Sequence, residues 1–270
     1  DECIGRITSY GPVKFPYEIP VFPGGHDSAV GFIGLGLDSK SRGILGNVGG
    51  TFYHYGYLKS EYQDTLPAAG IQTVAGPTKD SFVTIKAHPA GKDLLWFIHQ
   101  IVGKKDMRLL DGYFKAAHFG GENGSYYTTG LDTSAGSFVY LDNLAGVQKI
   151  FDTLVEGMTF LSKDIVEQFK LLHYPFEAIR VGGGSGKSDE WLQLKADVFG
   201  IRIEKVKNLE VSSTGAAIIG AVGLGICTYQ EAFRSMVAVE RCFKPDEALS
   251  SRYQENYRNW KRICRQLDRR

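Results

Sequence analysis

The feature that most restricts this chain is the stretch Val181–Asp197, VGGGSGKSDEWLQLKAD. Three glycines in a row, Gly182 to Gly184, follow the apolar run Ala178-Ile179-Arg180-Val181. Trp191, Leu192, Leu194 and Ala196 then fit the first turns of a helix. The order predicts a strand, a tight glycine turn and a helix. Such glycines reach positive φ and let a ligand lie against the backbone. The helix behind them offers unpaired N–H groups and the positive end of its dipole to phosphate. A plain structural corner uses the same glycines, so this pattern alone leaves both readings open. Gly186-Lys187-Ser188 imitates the end of a Walker A loop, but Val181 stands where that motif needs its first glycine. Counted from Gly182 the loop is one residue short, so it cannot wrap a phosphate as a P-loop does.

The chain of 270 residues is 43% apolar with a formal charge of +1. It can bury a sizeable core as one large domain or two smaller ones. The neutral balance gives no general pull toward nucleic acid or membrane, and no apolar run suits a bilayer span or a signal peptide. Cys3, Cys227, Cys242 and Cys264 are far apart without metal-ligand spacing and read as reduced thiols of a cytoplasmic protein. The chain opens on Asp1 and reads as part of something longer.

Residues 1–20, rich in Pro and Tyr, read as a loop leading into a short strand, Ile19–Phe22. A turn follows at Pro23–Asp27, then a small-residue helix over Ala29–Leu37. Gly43–Val48 and Thr51–Leu58 read as hairpin arms joined at Gly49-Gly50. Residues 59–90 suggest further strands, and Leu94–Val102 a helix. Residues 116–140 lack periodicity and read as a long loop. Val147, Ile150, Phe151, Leu154, Met158, Leu161, Ile165 and Phe169 mark the clearest amphipathic helix, with Gly157 inside it as the sign of a close contact. Ile201–Val206 reads as a strand and Ser213–Ile226 as a helix dense in Gly and Ala. Ser251–Arg270 reads as a basic amphipathic helix with an apolar stripe of Tyr253, Tyr257, Trp260 and Ile263.

Three glycine-bearing turns could converge on one cleft: Gly24–Asp27, Gly46–Thr51 and Gly182–Ser188. Several backbone turns together can hold nucleotide phosphates without a P-loop. Asp27 then suits a proton acceptor for an attacking hydroxyl, though a helix N-cap explains it too. For His26 the residues favour a buried, hydrogen-bonded ring over a catalytic role.

At these residues the chain resembles the C-terminal half of an FGGY-family carbohydrate kinase. Gly24-Gly25-His26-Asp27 looks like the family's GGxD turn, and Gly49-Gly50-Thr51 like its phosphate-contacting hairpin. Ala90-Gly91 before Leu95-Trp96 resembles a nucleotide-contacting helix start, Gly121-Glu122 the start of GER, and Glu156-Gly157 the EG of the long helix. Gly182-Gly183-Gly184, Ser188, Trp191, Gln193 and Ala196-Asp197 match GGGxxxSxxWxQxxAD; Glu210 with Gly215-Ala216-Ala217 matches ExxxxGAA. The matches keep the family's order over nearly the whole chain. Asn123-Gly124-Ser125 departs from the usual Arg-Ala-Pro, and Leu95 replaces a polar residue.

The resemblance implies an α/β, ribonuclease H-like (actin-like ATPase) fold, a mixed sheet flanked by helices. It implies that residues 1–38 end an N-terminal domain and carry the catalytic turn, and that 39–270 form the C-terminal nucleotide-binding domain. It implies Asp27 as base; Gly50, Thr51, Gly91, Gly183, Gly184 and Ser188 at ATP; and Asp27 with His26 at the sugar. ATP and Mg2+ would be the cofactors, with no residue assigned as a metal ligand. A sugar or polyol, chiefly a ketose, would be the substrate; Gly49–Phe52 resembles the hairpin of the autoinducer-2 kinase branch, and pentuloses, 6-deoxyketoses and similar polyols all stay open. The partner would be the N-terminal sugar-binding domain, with pairing of two copies open. The rival reading is an actin-like nucleotide-binding or scaffold module without sugar chemistry. A dinucleotide oxidoreductase is disfavoured, because no GxGxxG follows a first strand with an acidic residue at the right distance.

Overall fold

The computed structural model describes residues 3–10, 12–62, 64, 70–129, 136–172 and 174–267. Its centre is a mixed sheet whose parallel heart is β3 (Gly43–Gly49), β9 (Phe176–Gly183) and β10 (Arg202–Val206). β4 (Phe52–Lys59), β6 (Phe82–Pro89) and β5 (Gln72–Ala75) extend it antiparallel beyond β3, and β11 (Val239–Phe243) beyond β10. The order across the sheet is β11-β10-β9-β3-β4-β6-β5.

Helices cover both faces. One core joins Tyr53, Tyr55 and Tyr57 of β4 to α4 (Val147–Lys170), α5 (Asp189–Phe199) and α8 (Glu247–Leu267). The other joins Val48 of β3 to α1 (Asp27–Gly34), α6 (Val211–Gly223) and α7 (Tyr229–Met236). The stripe Tyr253, Tyr257, Trp260 and Ile263 is buried, with the three aromatic rings in the first core. Among the described residues no helix is long and apolar enough to cross a membrane.

Small residues set the closest approaches. A side chain on Gly34 of α1 would strike the Val211 carbonyl, and one on Gly215 of α6 would strike the Val30 carbonyl. The two helices therefore meet backbone to backbone, which places the second half of α1 against the first half of α6. Gly157 in α4 lies likewise under the Tyr127 carbonyl. Gly215→Val is expected to destabilise the fold by about 3 kcal/mol or more, because backbone on the far side cannot move as a side chain can. A denaturant midpoint unchanged from wild type would show that α1 and α6 are not held through this contact.

Three segments differ from the sequence expectation. Residues expected as a leading loop form an antiparallel hairpin, β1 (Gly5–Tyr10) and β2 (Val13–Val21). Pro16 and Pro20 do not prevent it, since a two-stranded ribbon has free edges where proline loses no ladder bond. Part of the expected long loop is a second hairpin, β7 (Tyr126–Thr129) with β8 (Gly136–Val139), whose Tyr127 ring contacts Phe138. Residues 116–125 of that loop are irregular as expected, and 130–135 lie outside the described residues. The helix expected over Leu94–Val102 starts earlier, as α2 (Gly91–Trp96), and widens into a π turn over Phe97–Ile101.

Candidate nucleotide and phosphoryl-transfer site

β3 and β9 lie parallel with Val48 beside Gly182 and Gly49 beside Gly183. Their carboxyl ends therefore stop side by side, and both glycine turns leave the sheet at one edge, where open α/β sheets collect ligands. Two buried polar residues brace them. Asn47 donates through Nδ2 to the His54 carbonyl at 3.3 Å. The Ser185 hydroxyl lies 3.1 Å from the Gly182 carbonyl and 3.3 Å from Asn47 Oδ1.

Glycine is required at Gly183, where φ is +75° and a side chain would run into the Gly49 carbonyl. Its N–H donates to the Leu209 carbonyl at 2.8 Å, tying this turn to the loop before α6. A side chain at Gly184 would meet only the Gly49 carbonyl, at an ordinary contact distance of 3.6 Å, and would otherwise occupy the cleft. Gly91 lies behind the hairpin turn rather than in the cleft. Its N–H donates to the Thr51 carbonyl at 3.1 Å, and a side chain there would strike the Gly50 carbonyl. Ser188 is the N-cap of α5, accepting from the Trp191 N–H at 3.2 Å and donating to Glu190 at 2.8 Å. Neither Gly91 nor Ser188 lines the cleft.

That cleft has a volume of about 480 Å³. Its walls are His26, Asp27 and Ser28 from the start of α1; Gly49, Gly50, Thr51 and His54 from the hairpin; Gly183, Gly184 and Lys187 after β9; and Glu210 and Ser212 at the start of α6. Asp27 also borders a second, more apolar hollow of about 610 Å³, lined by Phe22, Pro23, Val30, Ala216 and Ile219. A single carboxylate thus stands where the two hollows meet.

Asp27 is the first residue of α1, and the cap position before it is His26 without a side-chain cap bond. The Asp27 carboxylate accepts from the Ser28 N–H at 2.7 Å and lies 2.9 Å from His26 Nδ1. Ser212 Oγ donates to the Asp27 carbonyl at 3.0 Å, so α6 fixes the backbone that carries it. Its side chain is 80% exposed. His26 is 73% exposed, which overturns the expectation of a buried ring: the turn before α1 faces outward instead of into the core. Its Nδ1 lies 2.7 Å from Ser28 Oγ. His54, whose ring centroid is 6.1 Å from that of His26, has a pKa lowered by burial and then by His26, which favours its neutral form. Among the described residues no group of three or more His, Cys, Asp or Glu could hold a metal ion.

The Gly121-Glu122 loop lies elsewhere. Arg252 of α8 pairs with Glu122 at 2.8 Å, and Asn256 donates to the Gly121 carbonyl at 2.7 Å. Asn123, where the resemblance departs, donates to buried Glu156 at 2.9 Å, and Tyr253 donates to the other oxygen at 2.9 Å. Burial pushes the Glu156 carboxyl up to about 7 despite these donors.

Residues 112–224 match the family model for the FGGY family of carbohydrate kinases, C-terminal domain. Xylulose kinase of Bacillus subtilis is 26% identical over 275 residues, covering 97% of this chain and 54% of that protein. The chain is thus similar to the C-terminal half of FGGY carbohydrate kinases. It spans about half the length of the curated relatives it matches. The crystal structure of xylulose kinase from Rhodospirillum rubrum superposes with a TM-score of 0.77 at 17% identity, over 94% of this chain and 53% of that one. A Plasmodium falciparum glycerol kinase solved with ADP gives 0.73 at 15% identity, over 92% and 51%. The fold is thus the actin-like ATPase architecture of those kinases.

Four polar wall residues escape the motif reading: Ser28, His54, Lys187 and Ser212. Strand alternation signals His54: Tyr53, Tyr55 and Tyr57 face the core, so His54 between them faces away. Lys187 stands inside the false Walker match, which hides its place on the wall.

Proposed function

We propose that this chain is the nucleotide-binding half of an ATP-dependent kinase of a small sugar or polyol, with Asp27 as proton acceptor. The observation that carries this is the position of Asp27, on the wall shared by a cleft of converging glycine turns and a second hollow. The family supports phosphorylation of a carbohydrate, and xylulose and glycerol kinases among the relatives support a ketose or polyol acceptor.

In this reading the Asp27 carboxylate takes the proton from the acceptor hydroxyl as its oxygen attacks the γ-phosphate in line. The backbone N–H groups of Thr51 and Gly184 meet the charge that develops on the transferring group, while the Gly50 N–H holds the turn by donating to the Phe52 carbonyl at 2.9 Å. Thr51 adds a hydroxyl, and the Gly183–Gly184 turn leaves room for the nucleoside. Asp27 and Glu210, the two carboxylates on the cleft wall, fit an ion carried in largely by phosphate oxygens. Mg2+, when bound, would neutralise phosphate charge. The reaction draws on ATP and fits a cytoplasmic enzyme.

The exposure of Asp27 argues for a cover. A carboxylate this open would let water compete with the acceptor, so another domain must close over it. The hairpin and turn before α1 then face that N-terminal domain, while α1, which shares a core with Val48 and α6, stays with residues 39–270 that hold the nucleotide. The chain alone should fold and yet fail as a sugar kinase, because nothing holds the acceptor within roughly 3–3.5 Å of the phosphate.

A panel of ketoses and polyols with ATP tests this, using the chain joined to an N-terminal half and the 270-residue chain alone. One acceptor should turn over at about 1 per second or faster with the joined protein only. No phosphorylated acceptor, or full turnover by the chain alone, would overturn the reading.

Thr51→Ala and Gly184→Val should weaken nucleotide roughly tenfold or more while leaving the acceptor KM in place, since both touch only the nucleotide side. Equal losses for both substrates would make these turns structural.

A further inference from the structure

We propose that Lys187 is a phosphate-binding residue whose ammonium contacts the phosphate chain of the nucleotide, an assignment that rests on the nucleotide reading of the cleft. Lys187 leaves the turn after β9 just beyond Gly183 and Gly184, and its N–H donates to the Gly184 carbonyl at 3.3 Å. Its place on the cleft wall is thereby fixed by the same glycines that shape the cleft.

Charge makes the assignment specific. The fixed anions of the wall are Asp27 and Glu210, and its histidines are His26 and His54. Burial favours neutral His54. Lys187 is the one Lys or Arg among the described residues lining this cleft. Without it, the full charges facing a polyphosphate would all repel.

Lys187 is also uncommitted. The nearest acidic residue in sequence, Asp189, is already occupied: Lys205 Nζ lies 2.9 Å from one oxygen and Arg241 Nη1 2.6 Å from the other. Among the described residues the Lys187 ammonium has no hydrogen bond or ion pair, and its side chain is exposed to the cleft. A lysine supplies phosphate with a compact, mobile point charge, which suits a loop that is not a P-loop. The false Walker match thus holds a real chemical element: the lysine serves the phosphates, although the loop around it is too short to wrap them.

Calorimetric titration of this chain with ADP and with adenosine tests the assignment, for wild type, Lys187→Met and Lys187→Arg. Lys187→Met should weaken ADP roughly tenfold or more and leave adenosine within about twofold. Lys187→Arg should restore most of the ADP affinity, and the salt dependence of ADP binding should be shallower in Lys187→Met. Unchanged ADP affinity in Lys187→Met, or equal losses for ADP and adenosine with no rescue by Arg, would overturn the role of the lysine alone. Failure of wild type to bind ADP would overturn both the assignment and the nucleotide reading beneath it.

Discussion

Asp27→Asn is expected to lower acceptor phosphorylation by roughly 10²–10⁴-fold in the joined kinase while leaving ADP affinity within about twofold. Asparagine keeps an oxygen that can accept from the Ser28 N–H, the bond that the Asp27 carboxylate makes at 2.7 Å. The start of α1 should therefore hold its shape, and Ser212 still anchors the backbone at residue 27. What asparagine lacks is the capacity to take a proton at neutral pH. Steady-state rates and a separate ADP titration check the two halves of this expectation. A variant within tenfold of wild type would remove Asp27 from the chemistry.

The largest expected gain in stability comes from a buried lysine. Lys195 of α5 is buried, and its Nζ has no hydrogen-bond partner among the described residues. It sits 4.7 Å from the Tyr53 ring centroid and 4.8 Å from that of Trp191. Burial lowers its pKa to about 7. An unfolded lysine titrates near ~10.4, so unfolding takes up a proton wherever the pH lies between these values. The cost to the fold is therefore complete below about pH 7 and fades as pH rises toward ~10.4. Lys195→Met fills similar space beside the two rings without a polar atom to satisfy. It should stabilise the chain at pH 7 by about 2 kcal/mol, or roughly 4–8 °C in Tm. The gain should shrink toward pH 10. Variant minus wild type at each pH isolates Lys195, because Glu156 with its pKa near 7 is present in both proteins, and His88, held at about 3 chiefly by burial and in small part by Lys195 itself, is neutral from pH 7 to 10. A gain independent of pH would mean that Lys195 is not strained by its burial.

Elements with strong period or tight punctuation are legible in the amino-acid sequence. The apolar positions of α4, the Gly49-Gly50 turn and the strand–glycine–helix corner at Val181–Asp197 all lie where their patterns put them. So does the backbone contact implied by Gly157. The first hairpin is not legible, because Tyr and Pro without a buried face give no alternation to read. The site is legible as a set of turns, since glycine spacing reports backbone shape. Which side chains enter the cleft is not, because that depends on sheet register. Only the pairing of β3 with β9 shows that Gly49 and Gly183 are neighbours. Ser188 shows the same limit: its spacing suits a nucleotide contact, yet its hydroxyl is engaged as the cap of α5.

The most direct test of the central claim is hydrogen–deuterium exchange of the 270-residue chain with and without saturating ADP. The account predicts added protection at residues 47–54, 182–190 and 208–213, the segments that wall the cleft, and little change in the β5–β6 edge of the sheet. Protection confined to segments away from these three turns would contradict it.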